Sequence, residues 1–205
     1  MRGLIGKKIG MTRIFNSSGH SIPVTVLEVG PCQVTQIKTV KNDGYDAIQL
    51  GFSELKKKHT TKPLDGHFKK NNVTPAKVLA EFQSVPKFDY KLGQTFNVSL
   101  FSEGDFVSVS GKSKGRGFSG TIKKYSFSTQ RKTHGQGDTH RHVGSIGAAS
   151  DPSRVFPGKK MPGRYGHKTT SVKGLEVMSV IEEKNQLLIK GSVPGATNGI
   201  VYITR

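Results

Sequence analysis

Residues 111–170 constrain the fold more than any other part of the chain. They hold 13 Lys and Arg against two acids, Asp138 and Asp151, and 11 of the 25 glycines. Apolar residues recur there at neither period 2 nor period 3.6. The pattern therefore predicts neither a half-buried strand nor an amphipathic helix. A stretch of this length without secondary structure is foreign to the inside of a compact domain and reads as a functional extension. Its net charge is +11, against +7 for the other 145 residues, and the chain carries +18 in all. So much like charge repels itself in a compact monomer and needs a polyanionic partner, nucleic acid first and an anionic membrane second.

The flanks read as β structure. Ser21-IPVTVLEVG alternates Val24 and Val26 against Thr25, Leu27 and Val29. Cys32-QVTQIKTV and Tyr45-DAIQLGF follow, with Asp43-Gly44 between them as a hairpin signal. Thr95-FNVSLF and Asp105-FVSVS are two more predicted strands around a turn at Ser102-Glu103-Gly104. Gly174-LEVMSVIEE, Gln186-LLIKG and Ile200-VYIT close the series, the first two joined at Glu182-Glu183-Lys184-Asn185. About eight short strands at spacings of roughly 8–12 residues point to a mainly β fold, an antiparallel barrel or sandwich. In residues 53–90, Pro63-LDGHFKKNN predicts a short helix. Residues 74–83 fit either a strand at Val78-LAEF or a helix opened by Thr74-Pro75. The simplest organisation is a globular β domain from 1–110 and 172–205, with 53–90 as an inserted subregion. Residues 111–171 then form a basic loop that leaves the domain between two strands and returns to it.

Two glycine patterns raise the possibility of a nucleotide enzyme. Gly111-Lys112-Ser113 ends like a Walker loop, but the first glycine would have to be residue 106, which is Phe106. Gly115-x-Gly117-x-x-Gly120 matches a dinucleotide turn. That turn works only where a helix starts, and Thr121-IKKYSF shows no amphipathic face and no βαβ alternation. The glycines still allow close backbone approach to phosphate. Lys112, Lys114, Arg116, Lys123 and Lys124 surround them, and Phe118, Tyr125 and Phe127 are interleaved as candidates to stack on bases. The expected ligand is a nucleic-acid backbone.

Other chemistry is weaker. Cys32, the single cysteine, excludes an internal disulfide and sits in an apolar run, as a buried structural thiol would. The opening MRGLIGKKIGMTRIF lacks the apolar run of a signal peptide, and no run is long enough to span a bilayer, so the expected location is cytoplasmic. His134, His140 and His142 lie beside Asp138, but Arg141 among them would repel a cation, so no metal is expected. These histidines suit phosphate or ribose instead. No nucleophile has a partnered base, so no catalysis and no cofactor are expected. Arg116, Arg131, Arg141, Arg154 and Arg164 are the candidates for bidentate contacts. Lys132, Lys159, Lys160, His167 and Lys168 complete the cationic set in the loop, and Lys7 and Lys8 add two cations near the start.

Several segments carry a specific resemblance. Gly3-LIGKKIGMTRIF, Gly30-Pro31, Asp43-GYDAIQLGF, Gly111-KSKGRGFSGTIKK, Thr133-HGQGDTHR, Gly144-SIGA, Pro152-SRVFPGKKMPGRYG and Val172-KGLEV run from end to end in order. Together they resemble the bacterial-type L three family of large-subunit ribosomal proteins. The resemblance implies a six-stranded translation-protein-type antiparallel β-barrel with a small α/β insertion and a long basic extended loop. It implies binding to 23S ribosomal RNA near its 3′ end early in assembly, and contacts with neighbouring large-subunit proteins. It implies no enzymatic activity, no small-molecule substrate and no membrane. It places the loop tip, Gly144, Ser145, Ile146, Gly147, Ala148, Ala149, Ser150, Asp151 and Pro152, near the peptidyl-transferase centre. Some members carry a methylated glutamine in that tip. Here Ser150 takes the position and no glutamine lies between Ser145 and Pro157, so that modification is not expected. The alternative reading is a basic β-barrel RNA-binding or chaperone module outside the ribosome.

Overall fold

The computed structural model describes residues 3–85 and 89–205. Residues 86–88, at the end of the 53–90 subregion, lie outside the described residues. In chain order the strands are β1 (Gly3–Phe15), β2 (Ser21–Val29), β3 (Cys32–Lys38), β4 (Ala47–Glu54), β5 (Ala76–Gln83) and β6 (Thr95–Phe96). They continue as β7 (Phe106–Lys112), β8 (Phe118–Ser119), β9 (Gly163–Arg164), β10 (Thr169–Ile181), β11 (Gln186–Lys190) and β12 (Ile200–Thr204). The helices are α1 (Val40–Asp43), α2 (Lys62–Lys70) and α3 (Thr121–Tyr125).

Six strands close into an antiparallel barrel in the order β1-β12-β7-β10-β11-β2. Closure satisfies both edges of every strand, which an open sheet cannot do. The local sequence explains the faces. In β7, Val107 and Val109 point inward and are buried, while Phe106, Ser108 and Ser110 alternate outward. In β12, Val201 and Ile203 do the same. The two 13-residue strands each carry register shifts, at Lys8/Gly10 in β1 and at Val172/Leu175 and Val177/Ser179 in β10. Such bulges bend long strands around a barrel.

β1 is absent from the strands expected above. Its glycines, depleted in strands generally, hide the pattern, and packing supplies their reason. A Cβ on Gly3 would collide with the Ile203 carbonyl and the Phe82 ring, and one on Gly6 would lie 2.9 Å from the Glu28 carbonyl oxygen. These positions let β1 press against its neighbours with no side chain between.

A second sheet, β5-β4-β3-β6, shares the barrel's core. Leu4, Ile5, Leu27, Val109 and Ile203 of the barrel belong to one cluster with Val34, Ile48, Leu50 and Phe82 of this sheet. Burying each such side chain contributes roughly 1.5–3 kcal/mol. Cys32 is part of the cluster, its thiol donating to the Ile5 carbonyl at 3.4 Å. Burial pushes its pKa up to about 11. Helix α2, opened by Pro63, buries Phe68 and lies on the other face. There Asn71 donates to the Thr35 carbonyl at 2.8 Å, and His67 Nε2 meets Gln49 Oε1 at 2.9 Å. At the sheet's rim Lys38 Nζ lies 2.7 Å from Glu81 Oε1, and Tyr45 Oη donates to Glu81 Oε2 at 2.7 Å. The hydrogen bond from Lys38, then that from Tyr45, holds the Glu81 carboxyl below its usual value.

One open choice is settled and three expectations change. Within 74–83 the chain is strand from Ala76, paired with β4 from Ala76↔Glu54 to Gln83↔Ala47. Val78, Leu79 and Ala80 sit half-buried in that ladder, so pairing decides where local pattern could not. The predicted strand at Thr95–Phe101 pairs only over β6; Val98–Leu100 turns into a 3-10 helix that sinks Val98 into the core, followed by buried Phe101. The Asp43-Gly44 turn is not a two-residue hairpin. It is the end of α1, closed by Gly44 at φ 81°, and pairing resumes at Lys38↔Ala47. A helix does follow Gly120: α3 is a single turn of five residues.

The chain divides into two compact units, Met1–Ser113 with Thr169–Arg205, and Lys114–Lys168. β7 and β10 are adjacent, and Lys112 pairs with Thr169 at the point where the chain departs and returns.

Candidate nucleic-acid interface

Lys114–Lys168 carries twelve Lys and Arg against Asp138 and Asp151, a net of +10. Among its described residues only Ser119 and Thr121 are buried. Five of its large apolar side chains stand in solvent: Phe118 is 81% exposed, and Ile146, Val155, Phe156 and Met161 are also exposed, while Ile122, Phe127 and Val143 are half-buried. A 55-residue unit without an apolar core lacks the main driving force for folding alone. Local hydrogen bonds and rings give it shape instead.

The neck is built from its two ends. Gly166 sits at φ 72°, where a Cβ would run into the Lys114 carbonyl, so only glycine fits. The Arg116 N–H donates to the Tyr165 carbonyl at 2.9 Å, and the Tyr165 N–H donates to the Gly117 carbonyl at 2.9 Å. The Arg116 guanidinium lies 5.4 Å from the Tyr165 ring centroid. The β8–β9 ladder follows, with Phe118↔Arg164 and Ser119↔Gly163. The Ser119 hydroxyl donates to the Arg116 carbonyl at 3.1 Å, and the buried Thr121 hydroxyl has no hydrogen-bond partner among the described residues. In α3 the Lys124 ammonium stands 5.0 Å from the Tyr125 ring centroid, and Lys160 from the return path stands 5.8 Å from it. Two like charges on one ring, with no acid beside them, make a surface suited to phosphate.

The middle segment is held by backbone and amide contacts. The Gln130 N–H donates to the His140 carbonyl at 3.1 Å, and His140 Nδ1 meets the Arg131 carbonyl at 2.8 Å. Gln136 Nε2 donates to Gln130 Oε1 at 2.9 Å and also meets the Thr139 hydroxyl. His134, at φ 62°, His142, Arg131, Lys132 and Arg141 are exposed around this knot. The tip from Gly144 to Asp151 is exposed, and Pro152, half-buried, follows a cis peptide. The Ser145 hydroxyl donates to the Gly147 carbonyl at 3.1 Å. On the return, the Arg154 guanidinium lies 5.7 Å from the Phe156 ring. Lys159, Lys160, Arg164, His167 and Lys168 are exposed, and His167 packs where a Cβ on Gly115 would touch it, at 3.4 Å.

The carboxylates of the described ion pairs, Glu28, Glu81, Asp65, Glu176 and Asp105, all belong to the first unit. Among the described residues no cation from Lys114 to Arg164 has such a partner, which leaves them available to an external anion. Among the described residues no three His, Cys, Asp or Glu converge as metal ligands.

The cations near the start of the chain belong to the first unit and divide. Lys7 is half-exposed and lies 4.0 Å from Glu28. Lys8 leaves the expected RNA-facing set: it is 8% exposed, and its ammonium donates to the Val193 carbonyl at 2.8 Å inside the barrel. Lys8 lies on the same side of β1 as Leu4 and Gly6, opposite buried Leu27, before the register shift at Lys8/Gly10. Lys112 is exposed at the end of β7. Tyr165 escaped the sequence reading; its partner Arg116 lies 49 positions away, so no local spacing marks it.

A closed barrel linked to a coreless cationic unit defines a scaffold for a polyanion. The sequence model described as “Ribosomal protein L3” matches residues 85–187. A protein named “Large ribosomal subunit protein uL3” from Chlorobium phaeobacteroides is 50% identical over 204 residues, covering 99% of this chain and 98% of the relative. Its namesake from Petrotoga mobilis is 48% identical over 203 residues, covering 99% and 94%. The chain belongs to the ribosomal protein L3 family.

Proposed function

We propose that this structural, non-enzymatic constituent of the large ribosomal subunit anchors there by building Lys114–Lys168 into 23S ribosomal RNA near its 3′ end. The unit's lack of an apolar core beside a net charge of +10 carries this reading. RNA supplies the packing that the chain itself lacks. Ordering costs about 1–2 kcal/mol per residue, which phosphate and base contacts must offset. Arg116, Arg131, Arg141, Arg154 and Arg164 neutralise phosphates where RNA helices crowd, and Lys123, Lys124, Lys159 and Lys160 add diffuse charge. Binding of this kind early in assembly nucleates folding of the surrounding RNA, while the barrel faces neighbouring subunit proteins.

The tip carries no Lys or Arg from Val143 to Ser153. Shape therefore governs its contacts, as expected for a segment close to the peptidyl-transferase centre. Directed cleavage tests this placement. The native thiol of Cys32 is buried with a raised pKa and reacts slowly. Ala148→Cys thus gives one reactive site for a tethered iron chelate. In reconstituted subunits, hydroxyl radicals from that position should cut 23S ribosomal RNA around the peptidyl-transferase centre. Cuts confined to the subunit's outer surface would overturn the placement.

A further inference from the structure

The β8–β9 ribbon has two unlike faces. Side chains of successive strand residues point to opposite sides, and directly paired residues share a side. Ser119 and its partner Gly163 face inward: Ser119 is buried, and a Cβ on Gly163 would lie 3.2 Å from the Lys124 ammonium. Phe118 and its partner Arg164 share the other face, and both are exposed. At 81%, Phe118 is more exposed than the other large apolar side chains described.

This ring is not on a slack loop. The paired hydrogen bonds between Arg116, Tyr165 and Gly117 fix the ribbon just before it. The Arg116 guanidinium lies against Tyr165, and Arg164 is the cation paired directly across the ladder from the phenyl. A phenyl presented to water from a hydrogen-bonded ribbon, within a unit of net charge +10, has no use for phosphate. It offers a flat apolar surface, and the π-face of a nucleobase matches it. An apolar protein partner would gain nothing from the cations around it.

We propose that Phe118 stacks on an unpaired base of the bound RNA, with Arg164 across the ladder engaging the phosphate or base edge of the same nucleotide. This inference rests on the RNA-binding reading and adds a single-nucleotide site to it.

The chain has no tryptophan, so Phe118→Trp installs a single indole reporter at the site. Titrated with a 23S ribosomal RNA transcript, that variant should bind as the parent does, and its emission should be quenched as a base stacks on the indole. Phe118→Leu keeps apolar bulk without a π-face and leaves the neck unchanged. It should weaken binding nearly as much as Phe118→Ala, by about 5- to 150-fold. Full binding without quenching, or with a blue shift alone, would overturn stacking while leaving RNA binding intact. Full affinity in Phe118→Leu would reduce the ring to an apolar filler. No binding by the parent chain would sink both this site and the RNA reading.

Discussion

The barrel and the Lys114–Lys168 unit solve the problem of holding a shape in opposite ways. In the barrel, side chains from Leu4 in the first strand to Ile203 in the last share one core with the flanking sheet. Several charges of the barrel and its flanking sheet are paired: Lys190 with Glu176, Arg205 with Asp105, and Lys38 with Glu81 in the sheet. In Lys114–Lys168 the only buried described residues are Ser119 and Thr121, and the rings of Tyr165, Tyr125 and Phe156, half-buried or exposed, lie beside cations with no described carboxylate partner. The first region is stabilised by excluding water; the second lacks that source of stability and, on the function proposed above, gains its support from RNA. Each is therefore sensitive to different insults.

Removing residues 114–168 and joining β7 to β10 by a short turn should have the largest effect, and should separate the two regions most sharply. The strand signature in circular dichroism should persist, because Lys112 already pairs with Thr169. RNA affinity of the intact chain should fall by about 10³–10⁵ between 50 and 200 mM salt, given roughly 6–10 phosphate contacts. The deletion should flatten that dependence. An unfolded deletion variant would break the comparison, since the barrel would then depend on the segment.

Truncation at matched isoleucines sharpens the contrast at the next scale. Ile5→Ala or Ile203→Ala, both fully buried, should cost about 2–5 kcal/mol in urea unfolding of the free protein. Ile146→Ala, 43% exposed at the tip, should shift stability by less than about 0.5 kcal/mol. Similar costs at both places would mean that the tip has a hidden core.

The smallest effect concerns acid. Glu81 is held below its usual pKa mainly by Lys38 and then by Tyr45. A depressed carboxylate contributes stability that is full above its unfolded pKa of about 4.3 and is lost as the pH falls through the folded value. Glu81→Gln should therefore flatten the decline of melting temperature below that pH, modestly, because the pair lies at the surface. An unchanged acid limb would show that the triad contributes nothing to folding.

The β character of the chain was legible wherever alternation survives, as in Val107 and Val109 or Val201 and Ile203. It was illegible in β1, where Gly3 and Gly6 report contact with distant strands rather than a local preference. Helix or strand at 74–83 was settled by β4, which no window of ten residues contains. The site's composition was fully visible, since charge and glycine content do not depend on folding. Its geometry was not: the Arg116–Tyr165 pair and the meeting of Lys160 with Tyr125 are long-range contacts. Lys8 shows the converse, a cation that its charge assigns to the surface and that lies buried on the Leu4 side of β1.

The strand order of the barrel also carries a timetable. β12 lies between β1 and β7, so the strand made last seals a gap beside the strand made first. Gly3 cannot meet Thr204 until nearly the whole chain exists. At about 5–20 residues per second, roughly 10–35 s separate the synthesis of β2 from that of β12. The cationic segment is complete before that interval ends. During translation its arginines and lysines are present while the barrel is still an open sheet, so the cationic segment is finished before the barrel can close.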